Sequence, residues 1–204
     1  LEQYPRLTPE LEKIYAQLNY NLGMQYYNDM DYDKAVVYLT KVNSGRGASS
    51  LMKADATYWL ADAYYQKKDY KKAESYLLSF LKMSSAENSG MFPFAYYNFG
   101  YLFFNKNDFE KALKEFKHFV DIYRDDKEYL NDAWMRIGDC YFMERNYKNA
   151  INAYSNAVKL DSKNADYSLF QQGMGYGALG DMSSKISSLS ALYTSYPKSS
   201  YYDR

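Results

Sequence analysis

Five small residues recur along the chain at near-constant intervals: Gly23, Ala61, Gly100, Gly138 and Gly173, spaced 38, 39, 38 and 35 residues apart. Other columns keep register with them. Three residues after each stands an aromatic: Tyr26, Tyr64, Phe103, Tyr141 or Tyr176. Eight residues after each stands Asp31, Asp69, Asp108, Asn146 or Asp181, followed at once by Tyr32, Tyr70, Phe109, Tyr147 or Met182. Three positions on come Ala35, Ala73, Ala112 and Ala150, with Lys185 as the exception; four beyond those are Leu39, Leu77, Phe116, Tyr154 and Leu189. A chain with this internal period folds as an array of one supersecondary unit.

Each column has a physical meaning. Thr57, Leu60 and Tyr64 recur at three and four residues, so the segment before each turn residue is a helix. The Asp or Asn that follows is an N-cap for a second helix. Second helices are predicted from Tyr32 to Val42, Tyr70 to Met83, Phe109 to Tyr123, Tyr147 to Leu160 and Met182 to Tyr196. The small residues let paired helices approach closely, and the aromatic columns fill the space beside that contact. One hairpin cannot bury its apolar face alone, so stacked neighbours supply the core. Only four prolines and ten glycines interrupt the chain, which suits long regular elements.

The pattern resembles the tetratricopeptide repeat family. Asp69-Tyr-Lys-Lys-Ala73 and Asp108-Phe-Glu-Lys-Ala112 look like its central turn, Gly173 to Asp181 like its first helix, and Leu160-Asp-Ser-Lys-Asn164 like its inter-repeat turn. The resemblance implies an all-α fold, an α-α superhelix: a solenoid of about five antiparallel helix hairpins. The repeats are placed at about 9–47, 51–88, 91–126, 129–163 and 165–199 of a single array. Leu1–Arg6 reads as the tail of an earlier repeat and Ser200–Arg204 as the start of a later one, so the chain is expected to be a segment of a longer array. Thr8-Pro9-Glu10 reads as a helix start. The repeats exceed the family's usual length of about 34 residues. The extra residues fall between repeats, as in Ser44-Gly-Arg-Gly-Ala-Ser-Ser50 and Ser84–Gly90. Longer repeats of this kind resemble those of bacterial envelope proteins. They imply a periplasmic or outer-membrane-associated setting, with the cytoplasm as the alternative.

Composition closes several doors. Lys+Arg and Asp+Glu number 25 each, which offers no basic face for nucleic acid and no charge-held attachment to acidic lipid. No apolar run approaches the ~18 residues of a membrane span. One histidine, His118, and one cysteine, Cys140, leave no multi-histidine metal motif, no thiolate cluster and no Ser/His/Asp set beyond that histidine. His118 reads as partly solvated in a second helix, and Cys140 as a buried, inert thiol. Gly175-Tyr-Gly-Ala-Leu-Gly180 fits the letters of a dinucleotide loop, but that loop must follow a strand and open a helix, whereas here it closes one. No catalysis, cofactor or metal is expected.

Aromatic residues make up 19% of the chain, 26 of them tyrosine. Much of this tyrosine must pack, with the hydroxyl reaching water or a partner. The family resemblance implies a concave groove lined by first helices. The residues expected to bind there are Tyr58, Asp62 and Tyr65 in repeat two, Tyr97, Tyr101 and Phe104 in repeat three, and Met135, Asp139 and Phe142 in repeat four. Tyr20, Met24 and Tyr27 precede them on that face, and Met143, Tyr167, Phe170 and Met174 follow. Asp55 with Asp62, and Asp132 with Asp139, share a helix face at seven residues' spacing. An apolar or aromatic segment carrying a basic residue suits such a strip; a C-terminal carboxylate does not, because Asp62, Tyr101 and Asp139 stand where the family members that clamp a carboxylate place Lys, Arg and Asn. The expected function is therefore a scaffold for a protein or peptide partner. Two alternatives stay open: sugar rings stacked on the tyrosines of an envelope protein, or a structural or self-associating spacer whose groove its own tyrosines fill.

Overall fold

A computed structural model describes residues 8–160 and 165–201. Among the described residues there are ten α-helices, one short 3-10 turn at Ala86–Asn88 and no strand. The helices are α1 (Pro9–Asn28), α2 (Tyr32–Ser44), α3 (Ser50–Gln66), α4 (Tyr70–Leu81), α5 (Phe92–Asn105), α6 (Phe109–Ile122), α7 (Lys127–Met143), α8 (Tyr147–Leu160), α9 (Ala165–Ala178) and α10 (Met182–Ser195). The fold is all-α, and every predicted second helix starts on the predicted residue. The segments 1–6 and 161–164, and most of 200–204, lie outside the described residues, so the repeat remnants and the 160–164 turn are not addressed by it.

The turn inside each hairpin is the same five times, and its chemistry is local. The residue before the polar column adopts a left-handed conformation: Met30, Lys68, Asn107, Arg145 and Gly180 have φ of 60°, 62°, 57°, 58° and 76°. That twist lets the polar residue's N–H reach back five residues, as in Asp31 to the Tyr26 carbonyl at 2.8 Å and Asp108 to Phe103 at 3.0 Å. This closes the first helix in a Schellman motif. The same residue then opens the second helix. Asp31, Asp69, Asp108 and Asp181 each accept, on Oδ1, the N–H three residues on, at 3.0–3.3 Å. One aspartate thus satisfies free backbone groups of two helices, which explains why the column tolerates little variation.

Across the hairpin, the small column faces the large residue sixteen positions later. A Cβ built on Gly23 would lie 2.8 Å from Leu39, on Gly100 2.6 Å from Phe116 and on Gly173 2.9 Å from Leu189, and on Gly138 it would run into the Tyr154 ring. Side chains that leave no room for a methyl group are the reason for glycine here.

The chain forms two compact units, Leu1–Asn98 and Phe99–Arg204, with the division inside α5. In the first, α1 packs on α2, α2 on α3 and α3 on α4. Leu39, Val42, Ala56 and Leu60 form a core cluster there, with Tyr20, Met24, Trp59 and Tyr76 packed against it. In the second, α6 packs on α7, α7 on α8, α8 on α9 and α9 on α10. Its fully buried side chains include Leu102, Phe116, Phe119, Ile137, Tyr154 and Leu192.

Candidate functional site

The expected binding residues separate into two groups. Tyr58, Asp62, Met135 and Asp139 are buried, while Tyr65, Tyr97, Tyr101, Phe104 and Phe142 are half-buried. The four aspartates of the strip are engaged with other side chains of the protein. Asp55 accepts from Ser89. Asp132 accepts from Tyr101. Asp62 and Asp139 are the centres of buried networks.

In the first unit, Asp62 gathers three repeats. The Tyr27 hydroxyl of repeat one donates to it. Asn98 of repeat three donates through Nδ2 at 3.0 Å, and the same Nδ2 lies 3.1 Å from the Tyr58 hydroxyl. The Tyr27 ring is packed at 4.9 Å from Trp59 and 5.5 Å from Tyr32. Burial pushes the Asp62 carboxyl above its ordinary range, and the bonds from Tyr27, Gln66 and Asn98 oppose that rise. Burial, then the Asp62 charge, pushes the Tyr27 hydroxyl well up, so it stays a donor.

In the second unit, Asp139 plays the same part with a cation added. Its Oδ1 accepts from the Tyr154 hydroxyl at 2.8 Å and the Tyr167 hydroxyl at 2.6 Å. Its Oδ2 is 2.6 Å from Nη1 of Arg136, whose Nε stands 3.7 Å from Asp132. The guanidinium lies over two rings, 5.8 Å from the Phe104 centroid and 5.7 Å from that of Tyr167. Gln171 donates to the Tyr167 hydroxyl at 3.0 Å. Burial raises the Asp139 carboxyl and Arg136 opposes it. Burial works against the charge on Arg136, but Asp139, Tyr101 and Asp132 outweigh it and hold the guanidinium protonated.

Beside this network is a cleft of about 210 Å³, lined by Phe104, Arg136, Asp139, Phe142, Met143, Tyr154, Tyr167 and Gln171. Three residues expected from the sequence, Phe104, Asp139 and Phe142, meet there. Arg136, Tyr154 and Gln171 were not anticipated. A signal for two of them was present: the position two before the small column reads Asn21, Trp59, Asn98, Arg136 and Gln171, all planar or hydrogen-bonding. Arg136 also stands four after Asp132 and three before Asp139, spacings at which helix side chains pair.

The remaining candidates take quiet places. Cys140 is buried, and burial lifts its thiol to about 12. His118 lies exposed on α6. Gly175 packs inside α9 against Ile151, and the glycine-rich segment runs from that helix into its closing turn. Among the described residues no group of three His, Cys, Asp or Glu side chains could hold a metal, and no helix is long and apolar enough to cross a membrane.

Comparison with known proteins agrees with this architecture. Sequence profiles described as tetratricopeptide repeat match residues 20–88, 95–126, 132–164 and 167–199. No curated protein matches the chain in sequence at a significant level. Among solved structures, MamA from Desulfovibrio magneticus RS-1 is similar, with a TM-score of 0.71 and 17% identity over 91% of this chain and 97% of that one. BtubC from P. vanneervenii gives 0.69 and 13% over 93% and 91%. YrrB, whose structure is described as that of a repeat protein of this kind with an unusual peptide-binding site, gives 0.71 and 18% over 90% and 87%. Hairpin turns and profile matches agree, and the chain belongs to the tetratricopeptide repeat family.

Proposed function

We propose that this protein is an interaction scaffold that holds a segment of a partner protein on the faces of its first helices. The observation that carries this reading is the cleft of the second unit. Half-buried Phe104 and Phe142 and the exposed Met143 stand at its mouth over a floor fixed by Asp139. Aromatic and methionine surface over a rigid, hydrogen-bonded base is the composition of a binding hot spot. Tyr65, Tyr97 and Tyr101 offer further half-buried aromatic surface. Tyr58 and Asp62 in the first unit, and Met135 in the second, are buried. A peptide-binding relative of the same fold, YrrB, gives the reading a precedent.

The partner envisaged from the sequence carried a basic residue. With Asp62 engaged by tyrosine and asparagine and Asp139 by two tyrosines and the Arg136 charge, an apolar or aromatic segment is favoured instead. A photo-crosslinking aromatic amino acid placed at Phe142, compared with the same residue at exposed Lys148 on α8, tests the proposal. A distinct polypeptide captured from position 142 and not from 148 supports it. Capture that is equal at both positions, or nothing captured at 142, sinks it.

One observation favours the self-association alternative. Ile151 of α8 is buried against Gly175 of the following helix, whereas Ile186, its counterpart in α10, is 65% exposed beside exposed Met182 and Tyr193. A concentration-dependent mass in sedimentation, abolished by Ile186→Glu, would shift weight to that reading. The bacterial-envelope setting inferred from repeat length is tested by fractionating the source cell.

A further inference from the structure

We propose that the cleft of the second unit selects an uncharged aromatic or large apolar side chain followed by a backbone carbonyl, and rejects both carboxylates and cations. The proposal rests on the scaffold reading above and names what its cleft accepts.

The selectivity follows from the state of Arg136. Its guanidinium lies over the rings of Phe104 and Tyr167 and is fixed at one edge by Asp139. It is therefore rigid before any ligand arrives, and little entropy is lost when its free N–H groups find an acceptor. Nε is buried without a hydrogen bond. A buried donor without a partner gains more from an acceptor than one already hydrated.

The charge of that acceptor is decided by the neighbours. Asp139 lies 2.6 Å and Asp132 3.7 Å from the guanidinium, so two carboxylates already stand against one cation. An entering carboxylate would lose its hydration for a cation that is already compensated, and it would face Asp139. An entering ammonium or guanidinium faces the Arg136 charge across the cleft, and the acids beside it are already engaged: Asp139 Oδ1 accepts from Tyr154 and Tyr167, Asp139 Oδ2 is ion-paired with Arg136, and Asp132 accepts from Tyr101. A carbonyl oxygen accepts from Arg136 without either cost. The remaining wall is Phe142, Met143 and the Phe104 ring, which take a ring or a branched aliphatic chain, and about 210 Å³ admits one such side chain with its adjacent peptide group.

The test uses three probes that share one ring: N-acetyl-phenylalanine N-methylamide (neutral), N-acetyl-phenylalanine (anion) and phenylalanine N-methylamide (cation). Binding to the whole chain is read by NMR from methionine methyl groups labelled with ¹³C. Met143 is the reporter, and exposed Met30 on the first unit is the control. The expected result is a saturable Met143 shift with the neutral probe, at a Kd on the order of millimolar for so small a ligand, and binding at least about tenfold weaker for both charged probes. Met30 stays still. In Arg136→Gln the neutral probe weakens and discrimination against the cation disappears.

An anion or a cation that binds as well as the neutral probe overturns the charge reasoning. No shift of Met143 with any probe overturns the cleft as a side-chain site, and that result is separable from the scaffold reading, which the crosslink at position 142 tests with the natural partner. The wild-type comparison needs no substituted protein to fold.

Discussion

Replacing Gly100 by alanine asks whether the small column is set by space or by habit. A methyl group there would sit 2.6 Å from Cδ1 and Cε1 of Phe116 and 2.8 Å from its Cγ. Carbon atoms in a relaxed core keep about 3.5–4.0 Å. The helices or the ring must therefore move by about 1 Å. Phe116 is fully buried and its ring stacks edge-on against Tyr101 at 5.2 Å, so it has nowhere to swing. Overpacking costs about 1–3 kcal/mol in general, and a pinned ring puts this case in the upper part of that range, about 2–3 kcal/mol. Alanine returns about 0.8–1 kcal/mol through its better helix propensity. The net expectation is a loss of about 1–2 kcal/mol, read as a lower midpoint in urea unfolding followed by far-UV circular dichroism.

The second repeat supplies the compensating pair: Ala61 and Leu77 occupy the same two positions, both buried. Phe116→Leu alone should cost about 1 kcal/mol as a small void. Gly100→Ala with Phe116→Leu should be less damaging than the sum of its parts by about 1–2 kcal/mol, because a flexible leucine yields to the methyl more readily than a pinned ring and the second repeat already packs alanine against leucine. A Gly100→Ala protein as stable as the parent, or a double variant whose loss equals the sum of the singles, would refute the packing account.

Lys68→Gly should stabilise by up to about 1 kcal/mol and Gly180→Ala destabilise by about as much, because both residues hold a left-handed φ and no neighbour crowds a Cβ at Gly180; paired urea titrations give the two signs. The thiol of Cys140, buried with its pKa lifted to about 12, should ignore an aromatic disulfide reagent at neutral pH until denaturant is added. Asp62 is raised by burial, so between the unfolded value of ~3.9 and its higher folded value the native state keeps a proton that the unfolded chain has lost. That component of stability is present at low pH and is lost as pH rises through the folded value, so Asp62→Asn should flatten it. Asp31, held down by its bonds from Lys34, contributes the opposite component, present above ~3.9 and lost as pH falls through its folded value; Asp31→Ala should remove it, and urea midpoints across pH check both.

The repeat, the hairpin turns and the close helix contacts are legible in the chain before any coordinates. Each depends on residues near in the chain: a left-handed residue and a capping aspartate adjacent to one another, or a glycine and a large residue sixteen apart. Local chemistry repeated five times leaves a periodic trace, and periodicity is legible without coordinates.

What the aspartates and aromatics of the first helices do was decided only by the tertiary structure. From the chain alone, Asp62 and Asp139 read as acids offered to a partner. In the folded protein Tyr27 and Asn98 close around one and Tyr154, Tyr167 and Arg136 around the other, drawn from up to three repeats. Those partners lie 15 to 36 residues away or on the same helix in a column that carries no single residue type. A buried carboxylate must find donors wherever packing brings them, and packing between repeats is fixed by helix geometry that no spacing in the chain records.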